Sequence, residues 1–184
     1  MKELSLNILD IAQNSVKAGA DTIKIILTET DAALMIEITD NGCGMKEDFV
    51  RNVTDPFTTT RTTRKVGLGI PLFKLAAQQT GGDLTISSRH KDEYPDSHGT
   101  VVTASFRKDH LDFTPLGDVV STMTVLIQGQ PSIRWIYLHK TEKGSVNLDT
   151  DELKAVLGDV PLDTFEVISW IGEYLKEQYD EIGY

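Results

Sequence analysis

Two oxygen-bearing side chains, Asp10 and Asn14, stand four residues apart in "NILDIAQNSVKAGA". On a helix that spacing stacks them on one face, one turn apart. An amide carbonyl suits a hard cation such as Mg2+, which takes few protein oxygens and fills its shell from phosphates and water. A carboxylate one turn away can orient or deprotonate a water. A second constellation is "DNGCGM", where Gly42 and Gly44 follow Asp40 at alternate positions. Glycines there permit positive φ and close backbone approach to a flat or charged ligand. A carboxylate beside them can accept a hydrogen bond from an exocyclic amine. The third stretch is "DPFTTTRTTRKVGLGI". From Pro56 to Gly82 there is no Asp or Glu, in a protein of formal net charge −10. Five threonines between Thr58 and Thr63, with Arg61, Arg64 and Lys65, run into Gly67-Leu68-Gly69. Cations and hydroxyls can bind phosphate, and glycines opening a helix leave free N–H groups for an anion. The Walker spacing is missing, and Leu72 stands where a dinucleotide-binding G-x-G-x-x-G needs its third glycine. Taken singly, each pattern has a plainer reading: a solvated helix face, a hairpin turn, a polar surface loop.

The elements that must position these residues follow from periodicity. Residues 3–18 predict an amphipathic helix, with Leu4, Ile8, Ile11, Ala12 and Val16 on one side and Asn7, Asp10 and Asn14 on the other. Gly19 is placed to end it. "TIKIILTE" and "ALMIEITD" alternate as strands, so Asp40 closes the second. "KEDFVRNV" predicts a short helix, and "GIPLFKLAAQQTGG" a longer one stopped by Gly81-Gly82. "DLTISSR" and "GTVVTASFRK" predict two strands around a mobile hairpin loop, "HKDEYPDSH". Beyond His110, "PLGDVVSTMTVLIQG" predicts a helix starting at Pro115, then two strands, "SIRWIYLHK" and "SVNLDT", and two more helices. Trp135 and Tyr137, with Phe165, Ile168, Trp170 and Ile171, are expected in the core of this second region. Tyr174, Tyr179 and Tyr184 fit either that core or a docking surface. The pattern predicts an α+β chain: a sandwich over 1–108 and a smaller α+β appendage over 109–184.

Composition removes several function classes. A sequence pI near 4.8 argues against nonspecific nucleic-acid binding. The single basic cluster is too local to track a nucleic-acid backbone and suits a small polyanion. One cysteine, Cys43, allows no internal disulfide, which fits a cytoplasmic location. Between two glycines it reads as a small residue rather than a nucleophile. No apolar run approaches the roughly 20 residues that span a bilayer, and no secretory leader is visible. The four histidines have no metal-ligand spacing.

In combination and in this order, the motifs resemble the ATP-binding domain shared by gyrase, ninety-kilodalton heat-shock chaperones, histidine kinases and MutL (the GHKL superfamily). The resemblance covers residues 1–108 and implies a Bergerat-type two-layer fold, a mixed sheet covered by helices on one face. It implies ATP and Mg2+ as ligands. Asn14 matches the Mg2+-binding asparagine, and Lys17 the lysine that follows in the kinase branch. "DNGCGM" matches the adenine box, with Asp40 toward the adenine amine and Gly42, Gly44 and Met45 beside it. "DPFTTT" resembles the entry to a nucleotide lid, with Phe57, Thr59 and Thr60, followed by Arg61, Arg64 and Lys65. "GLGI" matches the second glycine box (Gly67, Leu68, Gly69), and Thr100 of "HGTVVTASF" stands near the adenine pocket.

One departure bears on catalysis. Four residues before the asparagine, ATP-hydrolysing branches usually carry Glu, and this chain has Asp10, one methylene shorter. Asp10 is the candidate base that positions water, so the resemblance implies ATP binding more firmly than hydrolysis. The resemblance does not extend to a phospho-acceptor helix pair, so a complete sensor histidine kinase is not the expectation. The whole chain also resembles small free-standing ATP-binding proteins of anaerobes, commonly encoded beside iron-only hydrogenase genes. That neighbourhood suggests a hydrogenase-associated redox protein as partner, and the family allows a homodimer. The leading expectation is Mg-dependent ATP binding with slow hydrolysis, working as a switch on a protein partner. The rivals are a serine/threonine protein kinase like those that bind sigma factors, and a nonenzymatic module whose binding is gated by nucleotide.

Overall fold

Strict alternation of apolar residues gives each central strand one buried face. Ile23, Ile25 and Leu27 on β1 (Thr22–Glu29) and Leu34, Ile36 and Ile38 on β2 (Ala33–Asp40) are all buried. The computed structural model describes residues 3–54 and 67–184. Around the first hairpin lie α1 (Leu4–Lys17), α2 (Glu47–Val53), α3 (Gly69–Gln79), β3 (Leu84–Arg89) and β4 (Gly99–Arg107). Then come α4 (Val119–Gly129), β5 (Arg134–Thr141), β6 (Gly144–Asp149), α5 (Thr150–Leu157) and α6 (Phe165–Glu181). The six strands form one mixed sheet in the order β3-β4-β2-β1-β5-β6. Every ladder is antiparallel except β1 with β5, where Thr22 pairs Arg134 and Ile25 pairs Tyr137. Directly paired residues share a face. Ile38 therefore carries the buried side across to Val102 on β4, and Ile25 carries it to Tyr137 on β5. The fold is α+β, as the sequence predicts. Residues 109–184 are α+β too, and they extend the same sheet and join the same apolar cluster.

The chain after Lys108 also completes α1. An α-helix leaves its first N–H groups without intrahelical partners. At α1 no side chain caps them. Instead Leu4 N–H donates to the Pro115 carbonyl at 2.9 Å and Ser5 N–H to that of Leu116 at 2.8 Å. Pro115 therefore lies before α4 rather than at its start. Asp118 is the N-cap, accepting from Ser121 N–H at 2.9 Å, because its carboxylate meets a donor that proline's ring cannot serve.

Trp135 and Tyr137 are buried, as expected from β5. The expectation for α6 needs correction. Its buried stripe is Val167, Ile171, Leu175 and Tyr179, at a strict four-residue spacing. Phe165 is 78% exposed and Trp170 47% exposed, both off that stripe. Trp170 instead stacks on Tyr174, with ring centroids 5.0 Å apart and planes 10° from parallel.

At the far end of β1 from Asp40, a polar cluster ties β1, β5 and α6 to the chain just after β4 and just after α6. Glu29 Oε2 accepts from His139 of β5 at 2.9 Å and from the Tyr184 hydroxyl at 2.9 Å. Its Oε1 accepts from Lys108 Nζ at 2.6 Å. His139 is fully buried, and its Nδ1 lies 2.8 Å from the Tyr179 hydroxyl, which also hydrogen-bonds Tyr137. Burial pushes the Glu29 carboxyl up. The hydrogen bonds from His139, Lys108 and Tyr184 outweigh it and hold the group at about 2. Burial, helped by the nearby Glu29 charge and opposed by the hydrogen bond with Tyr137, pushes the Tyr179 phenol well above its usual range. No described helix is long and apolar enough to cross a membrane.

Candidate nucleotide site

A cleft of about 370 Å³ opens between the end of α1, the loop after β2 and the start of β4. Asn14, Lys17, Asp40, Gly44, Met45 and Thr100 line it, so six sequence-predicted residues from three separate segments meet there. Its apolar walls come from Ile11, Phe49, Ile70 and Val102. Such a mixture, apolar walls with a few convergent polar groups, suits a flat heterocycle.

Asp40 is the polar anchor. It is 9% exposed, because β2 pairs with β1 and β4 on both sides at its last residue. Ser15 Oγ donates to Oδ2 at 2.6 Å, and Gly42 N–H donates to Oδ1 at 2.9 Å. Each carboxylate oxygen has two acceptor sites, so capacity remains for an amine entering the cleft. Thr100 pairs with Asp40 across the β2–β4 ladder, and its hydroxyl shares a 2.8 Å hydrogen bond with Ser88.

The glycine loop is pinned on every side. Cys43 N–H donates to Ala18 O at 2.9 Å, Met45 N–H to Ser88 Oγ at 2.8 Å, and Lys91 N–H to Cys43 O at 2.9 Å. His98 Nδ1 lies 2.6 Å from the Gly42 carbonyl. The β3–β4 hairpin loop is therefore a brace for the site as well as a connector. Of the two glycines expected to permit positive φ, only Gly44 has it, at +67°. A Cβ on Gly44 would stand 1.9 Å from the Arg89 carbonyl oxygen. Gly42 is needed for space instead, since its Cβ would meet Ala18 Cβ at 2.8 Å.

The phosphate side is sketched by Asp10 and α3. Asp10 is exposed and does not line the cleft. A Cβ on Gly69 would lie 3.2 Å from Asp10 Cβ, so this carboxylate stands at the N-terminus of α3. Leu68 is the N-cap there and offers no side-chain cap, and Pro71 has no N–H, so the Gly69 and Ile70 N–H groups are without a partner among the described residues. Gly67 and Leu68 are exposed just before it. Phe57, Thr59, Thr60, Arg61, Arg64 and Lys65 lie outside the described residues. Among the described residues no three His, Cys, Asp or Glu side chains gather to hold a metal. A cation at Asn14 would need phosphate and water oxygens, which is the Mg2+ habit, so the donor set fits that ion.

Sequence reasoning missed Ser15, Ser88 and His98. Ser15 carried a usable signal, a hydroxyl next to Asn14. Ser88 and His98 carried none, because both act through tertiary pairing. Asn7 was expected on the solvated face with Asp10 and Asn14. It is 1% exposed, and neither its amide oxygen nor its nitrogen has a partner among the described residues. It lies two turns before Asn14 on α1 and does not line the cleft. Asn7→Leu is expected to stabilise the protein by about 1–2 kcal/mol in urea unfolding, since an unpaired buried amide is costly. A destabilised variant would show that Asn7 has a partner the geometry does not reveal.

Residues 2–110 match the family model described as histidine kinase-, DNA gyrase B-, and HSP90-like ATPase. The tetrathionate sensor histidine kinase TtrS of Salmonella typhimurium is 33% identical over 98 residues, 53% of this chain and 16% of that protein. Sporulation kinase A of Bacillus subtilis is 28% identical over 108 residues, 59% of this chain and 16% of that protein. The chain thus matches about a sixth of the length of these curated relatives. Among solved structures, the Aquifex aeolicus MutL ATPase domain complexed with ADP superposes with a TM-score of 0.54 at 12% identity, over 85% of this chain and 69% of that one. The fold matches at that level of identity, and the family match spans more than half of the sequence. The chain belongs to the histidine kinase-, DNA gyrase B- and HSP90-like ATPase family.

Proposed function

We propose that this ATP-binding domain works as a nucleotide switch on a protein partner, with Mg2+-dependent binding and slow hydrolysis. The observation that carries the reading is Asp40, a buried carboxylate at an apolar cleft with acceptor capacity left over. It would accept from the adenine amine while Thr100 and Ser88 hold its surroundings. Asn14 would hold Mg2+ through its carbonyl oxygen, and Lys17 would add positive charge. Bound Mg2+ would neutralise part of the phosphate charge. The open N-terminus of α3 would face the phosphates, with Asp10 beside it to orient a water. The shorter reach of Asp10 supports slow turnover.

Asp40→Asn tests the adenine assignment. The fold should survive, because Ser15 can accept from the new amide and turn its own proton to Ile11 O, already 3.5 Å away. ATP affinity should fall roughly 10- to 150-fold, the range for one charge-assisted hydrogen bond. Unchanged affinity by calorimetry would remove Asp40 from the site. Kinase activity is the second reading, supported by the names of the sensor kinases that the chain resembles. Labelled ATP separates the two: free phosphate favours the switch, and label on a partner favours the kinase.

A further inference from the structure

Charge is divided unevenly along the chain. Residues 109–184 hold fourteen acidic and five basic side chains, −9 of the formal −10. Much of that charge is on α6. Glu166, Glu173, Glu177, Asp180 and Glu181 are exposed there, none of them in an ion pair among the described residues, and Lys176 is the helix's only cation.

The placement of the acids is unfavourable for the helix itself. Glu177, Asp180 and Glu181 crowd the C-terminal turns, where the backbone dipole is already negative, and no basic residue sits in the last turn. Folding does not call for that arrangement. An independent feature shares the same side. At 100° per residue, Glu166, Glu173, Glu177 and Glu181 all fall within about 60° of Trp170. Trp170 is 47% exposed and stacked nearly parallel on the half-buried Tyr174, so an aromatic side chain held in place by its neighbour faces solvent. It is not part of the core stripe formed by Val167, Ile171, Leu175 and Tyr179.

We propose that this face of α6 docks an arginine-bearing basic segment of a partner protein, with a guanidinium laid over the Trp170–Tyr174 stack and paired to Glu173 or Glu177. The chemistry of the surface selects that occupant. An aromatic face attracts a cation, and the planar, weakly hydrated guanidinium stacks where an ammonium does not. Carboxylates at the rim supply the bidentate partner. A second copy of the chain is disfavoured, because a symmetric contact would bring two acidic stripes together. The site is separate from the nucleotide cleft, and its failure would leave the ATP reading untouched.

The probe is a pair of capped synthetic peptides, equal in length and charge, one carrying arginines at i, i+4 and the other lysines. Calorimetry on the full chain should show the arginine peptide binding at least about 5-fold tighter. Trp170→Ser should weaken it about 10-fold or more, as expected for an aromatic anchor. Phe165→Ser, the loss of another exposed aromatic of α6 on a different side of the helix, should leave it unchanged. The double variant Glu173→Gln, Glu177→Gln should weaken binding while slightly raising the melting temperature. Equal affinities for the two peptides, with Trp170→Ser neutral, would reduce the effect to diffuse charge attraction and overturn the proposal. A dimer that dissociates on Trp170→Ser would overturn it in favour of self-association.

Discussion

A chain ended after Lys108 is expected to lose cooperative folding and, with it, ATP binding. The cut keeps every motif of the nucleotide site but removes β5, the parallel partner of β1 along seven residue pairs. It removes the carbonyls of Pro115 and Leu116 that receive the first N–H groups of α1, the helix carrying Asp10 and Asn14. It uncovers the apolar faces of α1 and β1 that Met123, Ile127, Trp135 and Tyr137 help to bury. Burial of such side chains contributes about 1.5–3 kcal/mol each, and a domain has only about 5–15 kcal/mol in total. The loss of four such side chains is therefore comparable to the whole margin. Circular dichroism should show a broad, non-cooperative melt, and calorimetry no nucleotide binding. A sharp transition with retained ATP affinity would show that residues 1–108 are an independent domain, the division that hydropathy and motif content suggest.

Glu29→Ala is expected to destabilise the protein by about 3–5 kcal/mol, the range for removing one partner of a buried pair. The change strands His139, which is fully buried, and leaves the Tyr184 hydroxyl without its acceptor. Lys108 keeps only the Thr30 carbonyl. The sign of the pH dependence follows from the depressed carboxyl. Its folded value of about 2 lies below the ordinary 4.5, so its stabilisation is complete above about pH 5 and fades as the pH falls toward 2. The stability gap between parent and variant should narrow over that acid range. Urea titrations at about pH 7, 5 and 3 test this. A gap that stays constant would mean that side-chain packing at Glu29 matters and its charge does not.

The site was legible in the sequence because its key residues are fixed by local rules. Asp40 ends an alternating strand, and Asn14 stands on a periodic helix. Their types and spacing survive without knowledge of the fold. The scaffold was less legible wherever a segment's fate is decided by distant partners. Nothing local says that β5 inserts beside β1, or that Pro115 gives its carbonyl to another helix. Trp170 shows the same limit from the other side. Its size argues for burial, yet the four-residue stripe through Ile171 and Leu175 leaves it outside. Asn7 erred in the opposite direction, since a polar face drawn on a helical wheel does not record which of its turns the rest of the fold covers.

The parallel pairing of β1 with β5 has a consequence in time. Thr22 must find Arg134, roughly 110 residues later in the chain. At the ribosome, elongating by about 5–20 residues per second, that interval is on the order of 5–20 s. Until then the β1 edge that β5 covers has no strand partner, and an open strand edge pairs readily with other chains. The newborn protein is thus most vulnerable in the seconds before β5 emerges. A ribosome pause within residues 109–133 should raise the aggregated fraction above that of uninterrupted synthesis.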